Sequence, residues 1–143
     1  MIHIKENRLK EAVQLSTQIP EFENLYESVE FQKRLKVKHL ILTANFQEKP
    51  VGFKIGYERD DDGSFYSWMG GVLPKFRKQC VAEKLADYQE RWASENGYNF
   101  IRIKTRKKHK AMIAFSLKRG FRFTGEIPKI PDKETRIWME KTL

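Results

Sequence analysis

The spacing of apolar and polar residues changes period several times along this chain, and each change marks an element. Met1-Ile2-His3-Ile4-Lys5-Glu6 alternates and predicts an edge strand. A helix is expected from about Asn7 to Ser16, with Leu9, Ala12, Val13 and Leu15 on its apolar face, and Pro20 follows it. A second helix, about Glu23 to Leu35, places Leu25, Val29 and Leu35 at near-helical spacing, with Phe22 just ahead. Three strands come next. His39 to Phe46 is an apolar run, Gln47 to Pro50 turns the chain, and Val51 to Tyr57 alternates as a half-buried strand should. Asp60-Asp61-Asp62-Gly63 is a polar turn, and Phe65 to Val72 resumes extended structure. The pair Gly70-Gly71 in that strand predicts a bulge or the close approach of another group to the backbone.

After Pro74 the period lengthens. Val81, Leu85, Tyr88 and Trp92 recur at helical spacing, and Gly97 stands where a C-terminal cap belongs. Phe100-Ile101-Arg102-Ile103 is a strand, and the intervening helix makes it parallel to the Gly-Gly strand. Lys110 to Arg119 predicts another helix, closed by Gly120 with Phe121 packing back onto it. Phe121 to Thr124 and Thr135 to Glu140 close the chain as strands. The order β-α-α-β-β-β-α-β-α-β-β gives antiparallel strands first and one β-α-β crossover later, an α+β domain. No repeat or linker divides the chain, so one domain is expected over residues 1–143.

Composition narrows the partners. Hydrophobic residues make up 40% and charged residues 33% of the chain, as in a folded globular protein. No stretch approaches the roughly 20 apolar residues that span a bilayer, and the start lacks the apolar run of a signal peptide. A cytoplasmic location with no membrane partner is expected. Cys80, the single cysteine, forms no internal disulfide and builds no structural zinc site alone; no metal is expected. The net charge of +9 is unevenly placed: residues 1–98 hold 15 basic and 15 acidic residues, whereas residues 99–143 hold 13 and 4. A positive field confined to the last third attracts nucleic acid, an acidic surface or a multiply phosphorylated ligand, or simply solvates one face.

The segment Val72-Leu73-Pro74-Lys75-Phe76-Arg77-Lys78-Gln79-Cys80-Val81-Ala82 joins the Gly-Gly strand to the third helix. It offers no Ser, Thr, Asp or Asn as a cap, so the first backbone N–H groups of the helix stay free beside Arg77 and Lys78. Free helix-start donors with adjacent cations make an anion site; the plainer alternative is a helix start capped by water.

With Leu85, this segment resembles the acyl-coenzyme A signature of the GCN5-related N-acetyltransferases (GNAT), Val-x-Pro-x-x-Arg-x-x-Gly-x-Gly/Ala followed by Leu. Val72, Pro74, Arg77, Ala82 and Leu85 match in register, and Cys80 replaces the first Gly. Cys carries a Cβ that a left-handed backbone disfavours. A second resemblance lies at His109-Lys110-Ala111-Met112-Ile113-Ala114-Phe115-Ser116-Leu117-Lys118-Arg119-Gly120-Phe121, similar to the family's Asn-x-x-Ala-Ile-x-Leu-Tyr-x-x-x-Gly-Phe. The resemblance implies a mixed, mostly antiparallel sheet and acetyl-CoA as acyl donor. Arg77, Lys78, Gln79, Cys80, Val81 and Ala82 would then hold the pyrophosphate, Gly70, Gly71 and Val72 would lie along pantetheine, and His109 would contact the cofactor arm.

The two usual proton-transfer residues of the family are replaced. Ser116 stands where a Tyr protonates the leaving thiolate, and Ser67 where some members carry a general-base Glu. Ser116 keeps a hydroxyl of short reach, and Glu58 is the candidate base, through a water. Covalent transfer through Cys80 finds no base beside it. The run from Lys104 to Lys110 holds five Lys/Arg in seven residues without interleaved aromatics, which argues against single-strand nucleic acid and suits the 3′-phosphate of coenzyme A. The expected activity is direct transfer of an acetyl group to an amine whose identity the sequence does not reveal. The alternatives are a catalytically weak acyl-CoA-binding or sensing domain, and a nucleic-acid module using the basic third. The connection from Gln18 to Leu35 is expected to shape the acceptor pocket. Oligomeric state is not encoded in any pattern here.

Overall fold

A bulge decides the architecture of this protein, seen here in a computed structural model that describes residues 1–22 and 26–143. Strands β1 (Ile2–Glu6), β2 (His39–Phe46), β3 (Lys49–Tyr57), β4 (Ser64–Val72), β5 (Phe100–Arg106), β6 (Arg122–Ile127) and β7 (Arg136–Thr142) form one sheet in the order β1-β2-β3-β4-β5-β7-β6. Every pairing is antiparallel except β4 with β5, which is parallel because helix α3 (Val81–Glu95) carries the chain across between them. Helices α1 (Leu9–Ser16) and α2 (Ser28–Arg34) follow β1, and α4 (Lys110–Lys118) follows β5, so the expected element order holds.

In β4 the register against β3 slips by one residue, from Ile55↔Met69 to Gly56↔Ser67, leaving Trp68 as the extra residue. The pairing of β4 with β5 stops at the same level: Ser64↔Phe100, Phe65↔Ile101, Tyr66↔Arg102 and Ser67↔Ile103 pair, and nothing beyond. Past this point β4 continues beside β3 as far as Val72, and β5 continues beside β7 as far as Arg106. The sheet therefore splits into a crevice with its vertex at Ser67 and Ile103.

Each face of the sheet has its own core. Val72, Phe65, Ile101, Ile103 and Met139 pack with Val81, Leu85 and Ala93 of α3. On the other face Phe53, Ile55 and Met69 pack with Ala12 and Leu15 of α1 and Phe31 of α2. The periodicity of α3 is met, with Gly97 at φ +86° ending the helix. Gly120 at φ +97° ends α4, and the Phe121 N–H returns to the Ser116 carbonyl at 3.0 Å.

Three expectations need correction. In α2 the inward residue is Phe31, 2% exposed, while Val29 points to solvent; Glu23 and Leu25 lie outside the described residues. The turn before β3 is tighter than expected, with Gln47 and Glu48 both at positive φ, so that Lys49 and Pro50 already belong to the strand. Residues 104–106 are strand rather than loop, because β7 offers them partners (Lys104↔Trp138, Thr105↔Ile137, Arg106↔Arg136). No helix among the described residues is long and apolar enough to cross a membrane.

Candidate active site

The crevice leads from the vertex into the loop before α3. Leu73 donates its N–H to the Val51 carbonyl (2.9 Å), a short 3-10 turn covers Pro74–Phe76, and Lys78 and Cys80 both take the left-handed conformation, at φ +62° and +63°. That geometry turns the backbone so that the first bond of α3 runs from the Lys84 N–H to the Cys80 carbonyl (3.1 Å). The N–H groups of residues 78–83 find no acceptor among the described residues. Together with the α3 N-terminus they form a cradle for an anion. The Cys80 side chain is exposed and adds nothing to the cradle beyond its Cβ.

Arg77 spans the mouth. Its Nε donates to the Val72 carbonyl (3.2 Å) and its Nη2 to Glu21 Oε1 (2.7 Å), and this guanidinium holds the Glu21 carboxyl below its usual range. Gln79 donates Nε2 to the Lys75 carbonyl (3.3 Å). His109 is the cap residue of α4, with Nδ1 3.5 Å from Thr105 Oγ1. Partial burial, then Arg106 and Lys108, lower its pKa, and Glu21 and Glu134 oppose them. The neutral ring can donate one hydrogen bond.

Of the β4 residues expected along the cofactor arm, Gly71 is tightly overlooked: a Cβ there would stand 2.9 Å from Ile19 Cδ1 and 3.1 Å from the Phe22 ring. The β5-facing backbone of Gly70, Gly71 and Val72 has no strand partner among the described residues.

Behind Gly70, on the α3 and α4 side, lies a small pocket lined by both polar and apolar side chains. Ser67 of β4 and Ser116 of α4 both line it, so the two replaced positions meet in one place. Gln89, 2% exposed, also lines it, and its Nε2 lacks a hydrogen-bond partner among the described residues. Lys54, also in the lining, was missed by sequence reading, although the Gly52-x-Lys54-x-Gly56 alternation of β3 places it on this face. Its stem passes over Gly70, where a Cβ would lie 3.6 Å from Nζ. Burial pushes the Lys54 ammonium down to about 8; Glu90 opposes this and Arg119 adds to it.

Glu58 lies elsewhere. It follows β3 at the closed end of the sheet, two residues past the level of Ser67, and accepts a hydrogen bond from the Tyr98 hydroxyl (2.8 Å). Burial, and after it that contact, raises the Tyr98 pKa. Glu58 shares the α3 face with that pocket but stands two residues further along β3, away from the loop before α3, and is not among the residues that line it with Ser116. In the basic run, Lys107 pairs with Asp132 (2.8 Å), Lys108 with Glu134 (2.8 Å) and Arg106 with Glu134 (3.1 Å). Much of that charge is therefore engaged by the connection before β7.

The opposite face of the crevice is aromatic. Phe31 meets Trp68 (5.2 Å between centroids), Trp68 meets Tyr57 (5.5 Å), Tyr57 meets Tyr66 (5.6 Å), and Tyr66 meets Trp138 (5.8 Å). Burial pushes the Tyr66 hydroxyl up to about 12.

Comparison with known proteins agrees with this geometry. The profile of the acetyltransferase (GNAT) family matches residues 7–121. No curated protein matches the chain. Among solved structures, the ribosomal-protein-S18-alanine N-acetyltransferase of Escherichia coli superimposes with a TM-score of 0.83 at 15% identity, covering 99% of this chain and 94% of that one. Ard1 from Thermoplasma volcanium gives 0.81 at 18% identity, with 99% and 97% covered. A GNAT acetyltransferase from Elizabethkingia anophelis with acetyl-CoA bound gives 0.78 at 16%, with 99% and 98% covered. At these identities the shared property is the fold.

Proposed function

We propose that this chain, which belongs to the acetyltransferase (GNAT) family, moves an acetyl group from acetyl-CoA to an amine by direct transfer within one domain. The observation that carries the reading is the continuity of the split sheet with the left-handed loop at residues 78–80: an unpaired strand edge runs into a row of free N–H groups. The solved relative with acetyl-CoA bound supports the choice of donor.

In this reading the N–H groups of residues 78–83 hold the pyrophosphate, with Arg77 and Lys78 as flanking cations. The unpaired edge of Gly70, Gly71 and Val72 takes the amide groups of pantetheine, and His109 borders the arm from the α4 side. Backbone N–H groups past the Trp68 bulge polarise the thioester carbonyl. A neutral amine attacks that carbonyl; the carbon–nitrogen bond forms, the carbon–sulfur bond breaks, and the amine proton leaves to solvent. Lys54 shares the pocket of Ser116 and is the candidate donor of a proton to the departing thiolate, its pKa lying near that of a free thiol. Ser116 assists by orienting it.

Acetyl-CoA at millimolar concentration should raise the melting temperature, because a ligand bound only by the native state must stabilise it, and thiol release with an amine panel should report turnover. The same two measurements judge the second reading, an acyl-CoA-binding or sensing domain, which the paired serines at 67 and 116 favour. A melting shift without thiol release from any amine would leave that reading in place of the enzyme; no shift would refute both.

A further inference from the structure

The aromatic face of the crevice carries a cluster of cations. Arg34 lies over Trp68 (4.6 Å to the centroid) and Tyr26 (5.1 Å). Arg59 lies over Trp138 (5.2 Å) and Tyr66 (5.5 Å), and Lys104 reaches Trp138 at 5.3 Å. These residues come from α2, the connection after β3, and β5, yet they gather over one continuous aromatic floor. Lys104 is the first residue of β5 past the last pair with β4, so it stands at the crevice vertex, on the face of α1 and α2.

We infer that the acceptor is a small amine carrying a carboxylate and a flat or apolar body, with Lys104 at the vertex as the cation that meets the carboxylate. The inference rests on the acetyl-transfer reading for the position of the reacting carbon and adds to it the chemical class of the second substrate.

The charge arrangement carries the argument. Two of the three cations over the floor are already engaged: Arg34 is held by Glu30 at 2.6 Å, and Arg59 keeps a longer contact with Asp60 at 3.4 Å. Lys104 is exposed and forms no ion pair among the described residues. After partial burial, the largest influences on it all come from cations, Arg59, Arg136, Arg34 and Lys129, and they lower its pKa. Converging like charges repel one another and are relieved by an anion placed among them. The floor of Trp138, Tyr66 and Trp68 would cover an apolar body beside that carboxylate. A polycationic acceptor meets the opposite situation, because it would have to enter a face lined by Arg34, Arg59 and Lys104.

The test uses the 143-residue chain and four amines: phenylalanine, phenylalaninamide, phenethylamine and spermidine. Thiol release measures kcat/KM for each with wild type, Lys104→Gln and Lys104→Arg. Phenylalanine should exceed phenethylamine by about ten-fold, the effect of one charge-assisted contact. Lys104→Gln should erase most of that margin while leaving phenethylamine within about two-fold, and Lys104→Arg should retain it. A preference for spermidine, or an equal loss for all amines in Lys104→Gln, would overturn the inference while leaving acetyl transfer intact. A binding arm reads the same question without turnover. Tryptophan fluorescence, from Trp68 and Trp138 on the floor, is titrated with N-acetylphenylalanine and N-acetylphenethylamine. Tighter binding of the first, lost in Lys104→Gln, supports the anion site; equal binding refutes it. A separate melt with acetyl-CoA tells failure of the acetyl-transfer reading from failure of this one.

Discussion

Replacing Cys80 by glycine should stabilise this protein, which is unusual for a cysteine at a ligand loop. Cys80 adopts φ +63°, ψ +16°, a left-handed conformation in which its Cβ crowds the following carbonyl at a cost of about 1–2 kcal/mol. Glycine removes that cost but loses about 0.5–1 kcal/mol more backbone entropy on folding. The side chain is exposed, so no core contact is lost. The net gain is about 0.5–1 kcal/mol, or roughly 1–4 °C in melting temperature for a chain of this size. Cys80→Ala keeps the Cβ and should lie within about 0.5 kcal/mol of wild type. Thermal melts and denaturant titrations of the three proteins make the comparison, and acetyl-CoA titration shows whether the cradle survives. Affinity should be retained or improved in Cys80→Gly, since the amides keep their directions. A glycine variant less stable than the alanine variant would refute the strain argument, and lost turnover with retained binding would restore a covalent role for the thiol.

Two further outcomes follow from packing and burial. Gly56→Ala should cost about 2–3 kcal/mol by denaturant midpoint, because its Cβ would stand 2.4 Å from the Phe65 ring and 2.8 Å from the Tyr66 carbonyl; an unchanged midpoint would contradict that contact. Lys54 has a folded pKa near 8, below the ordinary 10.5, so the unfolded chain binds more protons between those values. Its cost is full below pH 8 and fades as pH rises through 10.5. Lys54→Met should therefore melt higher than wild type at pH 7, with a margin that shrinks from pH 8 to 10.5, and should slow turnover about ten-fold or more without loss of acetyl-CoA binding. A margin independent of pH would show that the lysine is not held in an unfavourable site.

Local patterns carried the element order, the α3 face and the loop at residues 72–82, because a helix start, a Gly-Gly strand and a five-residue match all reside in contiguous sequence. The vertex was less legible. The glycine pair raised the possibility of a bulge, but the extra residue is Trp68, identified only once the β3 register is known. Glu58 shows the same limit: its place at the end of β3 and its carboxylate are legible, but the level of β4 that it faces depends on how β3 pairs. The cation cluster was invisible because Arg34, Arg59 and Lys104 lie far apart in the chain and meet only over Trp68, Tyr66 and Trp138. The basic run suggested a free positive stretch, whereas Asp132 and Glu134 fold back onto it.

The short join between β4 and β5 also divides the molecule mechanically. Four residue pairs hold the β1–β4 half of the sheet to the β5–β7 half, whereas β2 and β3 share eight and β5 and β7 share seven. The join is therefore the line of shortest pairing in the sheet, and its amides should exchange with solvent deuterium sooner than those of β2 and β3. A ligand seated against both halves acts as a strap across that line. Protection on binding should then concentrate at residues 64–67 and 100–103, rather than spread evenly over the sheet.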